Sequence, residues 1–246
     1  MIPSEGGSPR QITRGDFNHG GSLSWSRDGK HIYFSSNRSD NWEYDFRNSE
    51  VYRVHTQSGV IERLTDRNGP DRSPQVSPDG KKVAYLGFDD KVQTYQVTRL
   101  YIMDSDVSGK KEIVTNLDRS ISNIQWSSDS NAIYFTYDDK GNSKIAKTSL
   151  SGKVTKLADD LGGTTLGRPY ASGSYSVALN GTIAFTHSQP TRPAEIAILY
   201  SGKKASALPK KRNQARQRGN RQNSSNERLH IITDLNGELL DYRTMG

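Results

Sequence analysis

The chain has 246 residues, no cysteine, a formal net charge of +7 and a hydrophobic content of only 32%. That length allows one large domain or two small ones. The lack of Cys excludes disulfide staples and thiolate zinc sites, and no apolar run approaches the ~18 residues of a membrane span. The positive charge is concentrated: residues 203–228 hold nine Lys and Arg against the single Glu227, so the other 220 residues carry a net charge of −1. With 22 Gly and 12 Tyr against 6 Phe, the composition suits many short strands better than helices with broad apolar faces.

From the N-terminus, Met1 to Gly7 has neither a basic start nor an apolar stretch and does not read as a signal peptide. Arg10-Gln11-Ile12-Thr13 then reads as a lone strand. Four similar units follow, at roughly 20–65, 72–115, 121–158 and 174–209. Each opens with a turn between two apolar runs. These turns are Ser26-Arg27-Asp28-Gly29-Lys30, Ser77-Pro78-Asp79-Gly80-Lys81, Ser127-Ser128-Asp129-Ser130-Asn131 and Leu179-Asn180-Gly181-Thr182. Gly29, Gly80, Ser130 and Gly181 step by 51, 50 and 51 residues. Asp-Gly or Asn-Gly between apolar segments signals a hairpin, because Gly accepts the positive φ of the turn at little steric cost. A third run follows in each unit (Val51–Val54, Leu100–Met103, Ile145–Lys147, Ile196–Leu199), then a Ser-Gly turn, then a fourth run ending near Leu64, Val114, Leu157 or Leu208.

Four strands at a period near fifty residues predict an all-β fold built from β-propeller blades. About four blades plus an extra strand sit at the lower limit for a closed ring, so the expectation is an incomplete arc of a seven- or eight-bladed propeller. Residues 209–232 are expected to be a basic insertion without stable structure, since 209–228 contain Ala215 as their one apolar side chain besides Pro209. Leu208-Pro209 and Ile232-Thr233 both resemble the closing Leu-Thr slot of a unit, and the sequence leaves open which one closes the fourth.

Catalytic motifs are missing. No Gly-x-Ser-x-Gly elbow and no Gly-rich phosphate loop occurs. His19, His31, His55, His187 and His230 are scattered without metal spacing. Asp104-Ser105-Asp106 imitates the start of a calcium loop, but Thr115 stands where a bidentate Glu is needed. The pairs Asp89-Asp90 and Asp138-Asp139 lie beside Lys91 and Lys140 and read as solvated loop charges. Trp25 and Trp126 occupy equivalent first-strand positions, which suits blade packing. Hence no catalytic, cofactor-binding or metal-binding residue is expected in this chain. The basic stretch lacks the aromatic side chains that would stack bases, so nucleic acid is not the expected partner.

The Ser-x-Asp-Gly-Lys turns and closing Leu-Thr resemble the repeats of TolB-type proteins and of the prolyl oligopeptidase family of serine peptidases. Longer runs are similar to the acylaminoacyl-peptidase and dipeptidyl-aminopeptidase branch of that family. They are Phe88 to Lys91, Tyr95 to Met103, Leu117 to Ser120, Tyr137 to Asn142, Leu166 to Tyr170 and Asn180 to Ser188. Leu235 to Leu240 is similar to the stretch before the family's α/β-hydrolase domain. The resemblance implies a non-catalytic propeller portion that gates and orients short peptides. The Ser-His-Asp triad would lie on a C-terminal hydrolase domain outside this chain, to which residues 233–246 lead. Cytoplasm and periplasm are both compatible with such a protein. The competing reading is a stand-alone TolB-like propeller that binds protein partners.

Overall fold

The structure is a computed structural model that describes residues 1–2, 4–163, 173–189, 192–201, 229–235 and 237. The chain divides into two compact units, residues 1–140 with 145–157 and residues 141–144 with 158–246. The fold is all-β. Sheet 1 contains β1 (His19–Trp25), β2 (His31–Ser36), β3 (Glu50–His55) and β4 (Ile61–Arg63), in that order. Sheet 2 contains β5 (Asp71–Val76), β6 (Lys82–Gly87), β7 (Arg99–Asp104) and β8 (Lys111–Glu112), again in chain order. The remaining strands are β9 (Ser122–Trp126), β10 (Ala132–Asp139), β11 (Asn142–Ser149), β12 (Val154–Leu161), β13 (Tyr175–Val177), β14 (Ile183–Gln189), β15 (Arg192–Leu199) and β16 (Leu229–Ile231).

All the strand pairs given a register are antiparallel, and successive sheets repeat one register. Trp25 faces Ile32, Val76 faces Val83 and Trp126 faces Ile133 across the first hairpin. Each of these first pairings slips once, at 20/24, 72/75 and 134/136. The turn between them is built as the residue types demand. Ser26 Oγ donates to Asp28 Oδ1 at 2.6 Å, and Asp28 Oδ1 also accepts from Lys30 N at 3.0 Å. The same bonds recur at Ser77–Asp79–Lys81 and Ser127–Asp129–Asn131. Gly29, Gly80 and Gly181 take φ of 69°, 76° and 79°. Ser130 takes 59°, a strained choice for a residue with a Cβ, and its Oγ accepts Asp79 N from sheet 2 at 3.1 Å.

Within the first unit the sheets pack face to face. Tyr33, Val51 and Leu64 of the first repeat meet Val83, Tyr85 and Met103 of the second. Ala84, Leu86, Leu100 and Ile102 meet Ile121, Ile124, Ile133 and Phe135 of the third. Polar stitches accompany the apolar contacts. Val76 N donates to Ser24 Oγ at 2.9 Å, Arg27 reaches Pro78 O at 3.0 Å, and Trp126 Nε1 donates to Gln75 O at 2.9 Å.

Three expectations need correcting at the level of strands. First, residues 10–13 form no strand: Ile12 packs on the cluster of Ile32, Phe34, Tyr52 and Val54, and Arg10 is held by the Thr56 carbonyl. The segment is fixed by side chains rather than by a backbone ladder. Second, the last strand of the third repeat does not end near 158 as expected: β12 runs on to Leu161, which pairs with His187 of β14, and β13 pairs with β14 as well. Third, Leu229–Ile231, expected inside the insertion, forms β16 and pairs with β15 through Ala197↔Ile231, Ile198↔His230 and Leu199↔Leu229. The expected strand at 205–208 and the stretch 209–228 lie outside the described residues, as do most of 233–246 and all of Leu166 to Tyr170.

Candidate functional site

In the first unit, strand direction sorts the connections onto two faces. The Ser-x-Asp-Gly-Lys turns lie on one face, with the short β3–β4 and β7–β8 turns. The other face carries the long connections, 37–49 between β2 and β3 and 88–98 between β6 and β7. Loop 37–49 is folded by its own backbone and side chains. Trp42 N donates to Ser39 O at 3.2 Å, Tyr44 N to Asn41 O at 2.9 Å and Asn48 N to Asp45 O at 3.2 Å. Asn37 Nδ2 donates to Asp45 O at 2.6 Å, and its Oδ1 accepts from Ser39. These successive turns leave Tyr44 88% and Phe46 72% exposed, with Trp42 at 36%. A groove of about 360 Å³ runs beneath them, lined by Asn18, Ser35, Ser36, Asn37, Trp42, Glu43, Phe46 and Ser49. Aromatic faces, one carboxylate and several neutral hydrogen-bonding groups make it suited to a polar chain with apolar side groups.

At the base of this face, between sheets 1 and 2, lies a group of buried charges that motif reading did not single out. Glu50, at the start of β3, is 5% exposed and Asp71, at the start of β5, is 1% exposed. Thr65 Oγ1 accepts Val51 N at 2.9 Å and is hydrogen-bonded to Glu50 Oε2 at 2.6 Å. Arg67 donates to Asp71 and stacks over the Tyr101 ring at 3.8 Å from its centroid. Its Nε is 3.4 Å from Asp89 Oδ1. Gly87 makes room for the ion pair, since a Cβ there would strike Arg67 Nη2, Asp71 Oδ1 and the Pro70 carbonyl. Burial pushes the Glu50 carboxyl up to about 7, against the Thr65 hydrogen bond and with help from the Asp71 charge. Burial likewise raises Asp71 to about 6, against the pull of Arg67. The Tyr85 phenol beside them is raised too, first by burial and then by Asp71. The hint was present in Leu64-Thr65-Asp66-Arg67 and in Glu50, but nothing local marks two carboxylates 21 residues apart as sharing one interior.

The candidates weighed from sequence do not converge. Asp90 Oδ1 accepts from Val92 N and Gln96 Nε2, both at 2.7 Å, which holds its carboxyl below the usual range. Asp139 pairs with Arg119 at 3.1 Å. Asp106 caps Ser108, its N at 3.0 Å and its Oγ at 2.6 Å, as expected for a turn. His187 is 6% exposed within β14, and burial lowers its pKa. His19 contacts Arg38 at 2.7 Å, while His31 and His55 stack edge to face at 5.2 Å. Trp126 serves packing, and Trp25 at the equivalent place is 50% exposed. Among the described residues no group of three His, Cys, Asp or Glu could hold a metal ion, and no helix is long and apolar enough to cross a membrane.

Residues 1–84 match the family described as dipeptidyl peptidase IV (DPP IV) N-terminal region. The chain is 27% identical over 138 residues to dipeptidyl-peptidase 5 of Porphyromonas gingivalis, covering 55% of this chain and 20% of that protein. It is 33% identical over 142 residues to a probable dipeptidyl-peptidase 5 of Arthroderma benhamiae, covering 52% of this chain and 19% of that one. Among solved structures, the β-propeller domain of the trilobed protease from Pyrococcus furiosus superposes with a TM-score of 0.50 at 13% identity, over 76% of this chain and 56% of that one. These similarities support a propeller N-terminal region like those of prolyl oligopeptidase-family peptidases. The matched region amounts to about a fifth of the length of these relatives. The four-stranded antiparallel sheets described above correspond to the blades of such propellers.

Proposed function

We propose that this chain is the non-catalytic propeller portion of a dipeptidyl- or oligopeptidase, gating and orienting short peptides for an α/β-hydrolase domain. The observation that carries this reading is the similarity to dipeptidyl-peptidases across half of the chain. The long-loop face adds a place for the peptide: the groove under Trp42 and Phe46, with Glu43 at its edge, offers apolar, anionic and amide contacts together. The blades would restrict access by size, and the groove would fix the register of a peptide that passes. Stand-alone binding of TolB type is less well supported, because the relatives spanning half of the chain are peptidases.

The test uses the complete polypeptide encoded with this chain. It should release dipeptides from a short chromogenic substrate and leave a folded protein of similar sequence intact. Trp42→Ala with Glu43→Gln should raise KM for short peptides and leave kcat nearly unchanged. Equal cleavage of short and folded substrates would refute gating, and an unchanged KM would refute the groove.

A further inference from the structure

The start of the chain repeats the outer hairpin of sheet 1 at an offset of 52 residues. Met1 and Arg10 exchange two backbone bonds, Met1 N to Arg10 O at 2.9 Å and Arg10 N to Met1 O at 2.8 Å. Arg53 and Glu62, each 52 residues further on, face each other across β3 and β4. In the connections between these pairs, Gly7 and Gly59 both take positive φ, 127° and 72°. Ile12 packs on Ile32, Phe34, Tyr52 and Val54 of sheet 1, just as its counterpart Leu64 packs on Val83, Tyr85 and Met103 of sheet 2. On that same face of sheet 1, however, the first strand is bare: Leu23 is 63% and Trp25 50% exposed. Their counterparts in the later sheets are covered. Pro74 is buried, Ile124 is 6% exposed and packs on sheet 2, and Trp126 Nε1 reaches the Gln75 carbonyl.

We infer that Met1–Ile2 and Arg10–Thr13 stand in the places of the third and fourth strands of a further blade, and that the face carrying Leu23 and Trp25 takes an antiparallel β-hairpin of the complete polypeptide as that blade's inner half. The hairpin adds its second strand to the edge of Met1 and Ile2 and lays its first strand over Leu23 and Trp25. The repeat specifies what that hairpin must offer. His55 N donates to Val60 O on the β4 side, so the neighbouring Val54 amide turns to β2, where Val54 faces Ile32. Ile2 holds the place of Val54, and its N–H is the donor presented to the incoming strand. A first-strand carbonyl of the hairpin meets Trp25 Nε1, as the Gln75 carbonyl meets Trp126 at 2.9 Å. A hydroxyl side chain beside it accepts Trp25 N, as Ser24 Oγ accepts Val76 N at 2.9 Å. Removing Leu23 and the Trp25 ring from water drives the contact. Such docking requires no peptidase activity, so it holds or fails separately from the proposed function.

The test compares this chain with the complete polypeptide encoded with it, by hydroxyl-radical footprinting and by amide exchange of isoleucine-labelled protein. Leu23 should be oxidised about tenfold less in the complete polypeptide, moving from its 63% exposure towards the 6% of Ile124, and Trp25 should fall with it. The Ile2 amide should exchange at close to the free rate in this chain and at least about tenfold more slowly in the complete polypeptide. Equal oxidation of Leu23 and Trp25 in the two proteins would overturn the inference. So would their protection without slowed exchange at Ile2, since the cover would then be something other than an added strand. Protection that arises in this chain alone as its concentration is raised would assign the face to a second copy and overturn it as well.

Discussion

The most discriminating perturbation is Thr233→Val, because it asks which of two sequence slots closes the last sheet. Thr233 Oγ1 accepts Ile196 N at 2.8 Å and donates to Glu195, a residue only 7% exposed whose other oxygen accepts Leu235 N at 3.0 Å. The first sheet has the same clamp, with Thr65, Val51 and Glu50 in the corresponding places. Valine keeps the shape and removes both bonds. It leaves the Ile196 N–H without its partner and takes one donor from a buried carboxylate. Each loss costs about 1–3 kcal/mol when fully buried. Ile196 is 37% exposed, which admits water and reduces the sum to roughly 2 kcal/mol. The midpoint of the second unit should therefore fall by about 8–16 °C in a thermal scan. The companion variant replaces residues 200–228, a 29-residue connection, with a turn the length of 56–60 in sheet 1. Closing a loop of 5 rather than 29 residues is easier by about 1.5 kcal/mol, so this variant should be slightly more stable. A neutral Thr233→Val together with a shortened chain that fails to fold would refute the assignment. The closing strand would then lie near Leu208-Pro209, where proline has no hydroxyl to offer Glu195.

Three further outcomes are expected. Phe135→Ala, at a fully buried position between the second and third sheets, should cost about 3–5 kcal/mol in denaturant unfolding. Trp126→Phe should cost about 1–2 kcal/mol, because the Gln75 carbonyl loses its indole donor while most of the ring contact stays. Gly87→Ala should separate Arg67 from Asp71. Circular dichroism melts should show a loss of stability, and Arg67→Ala should cost less in that chain than in the wild type, since both changes break the Arg67–Asp71 contact.

Much of the fold was legible because its signals are local. The turn Ser77-Pro78-Asp79-Gly80-Lys81 carries its own reasons: a Ser–Asp bond, an Asp bond to the Lys81 amide, and a Gly at φ 76°. Apolar alternation on either side then specifies the hairpin and which face is buried. The Arg10 to Thr13 strand failed because a strand is defined by its partner, and here only the Ile12 and Arg10 side chains engage the first sheet. The joining of β12 to β14 was invisible for the same reason. It depends on one pairing, Leu161 with His187, that neither local sequence announces.

Composition, charge placement and the fifty-residue period were decided by the sequence by itself, since each rests on residues that are neighbours along the chain. The +7 net charge belongs to one stretch, and the lean 32% hydrophobic content matches sheets that bury thin apolar faces. Tertiary structure alone decided that Thr233 closes the last sheet and that Glu50 and Asp71 share a dry seam. Both depend on long-range burial, which turns ordinary surface residue types into groups whose hydrogen bonds and protons must be accounted for.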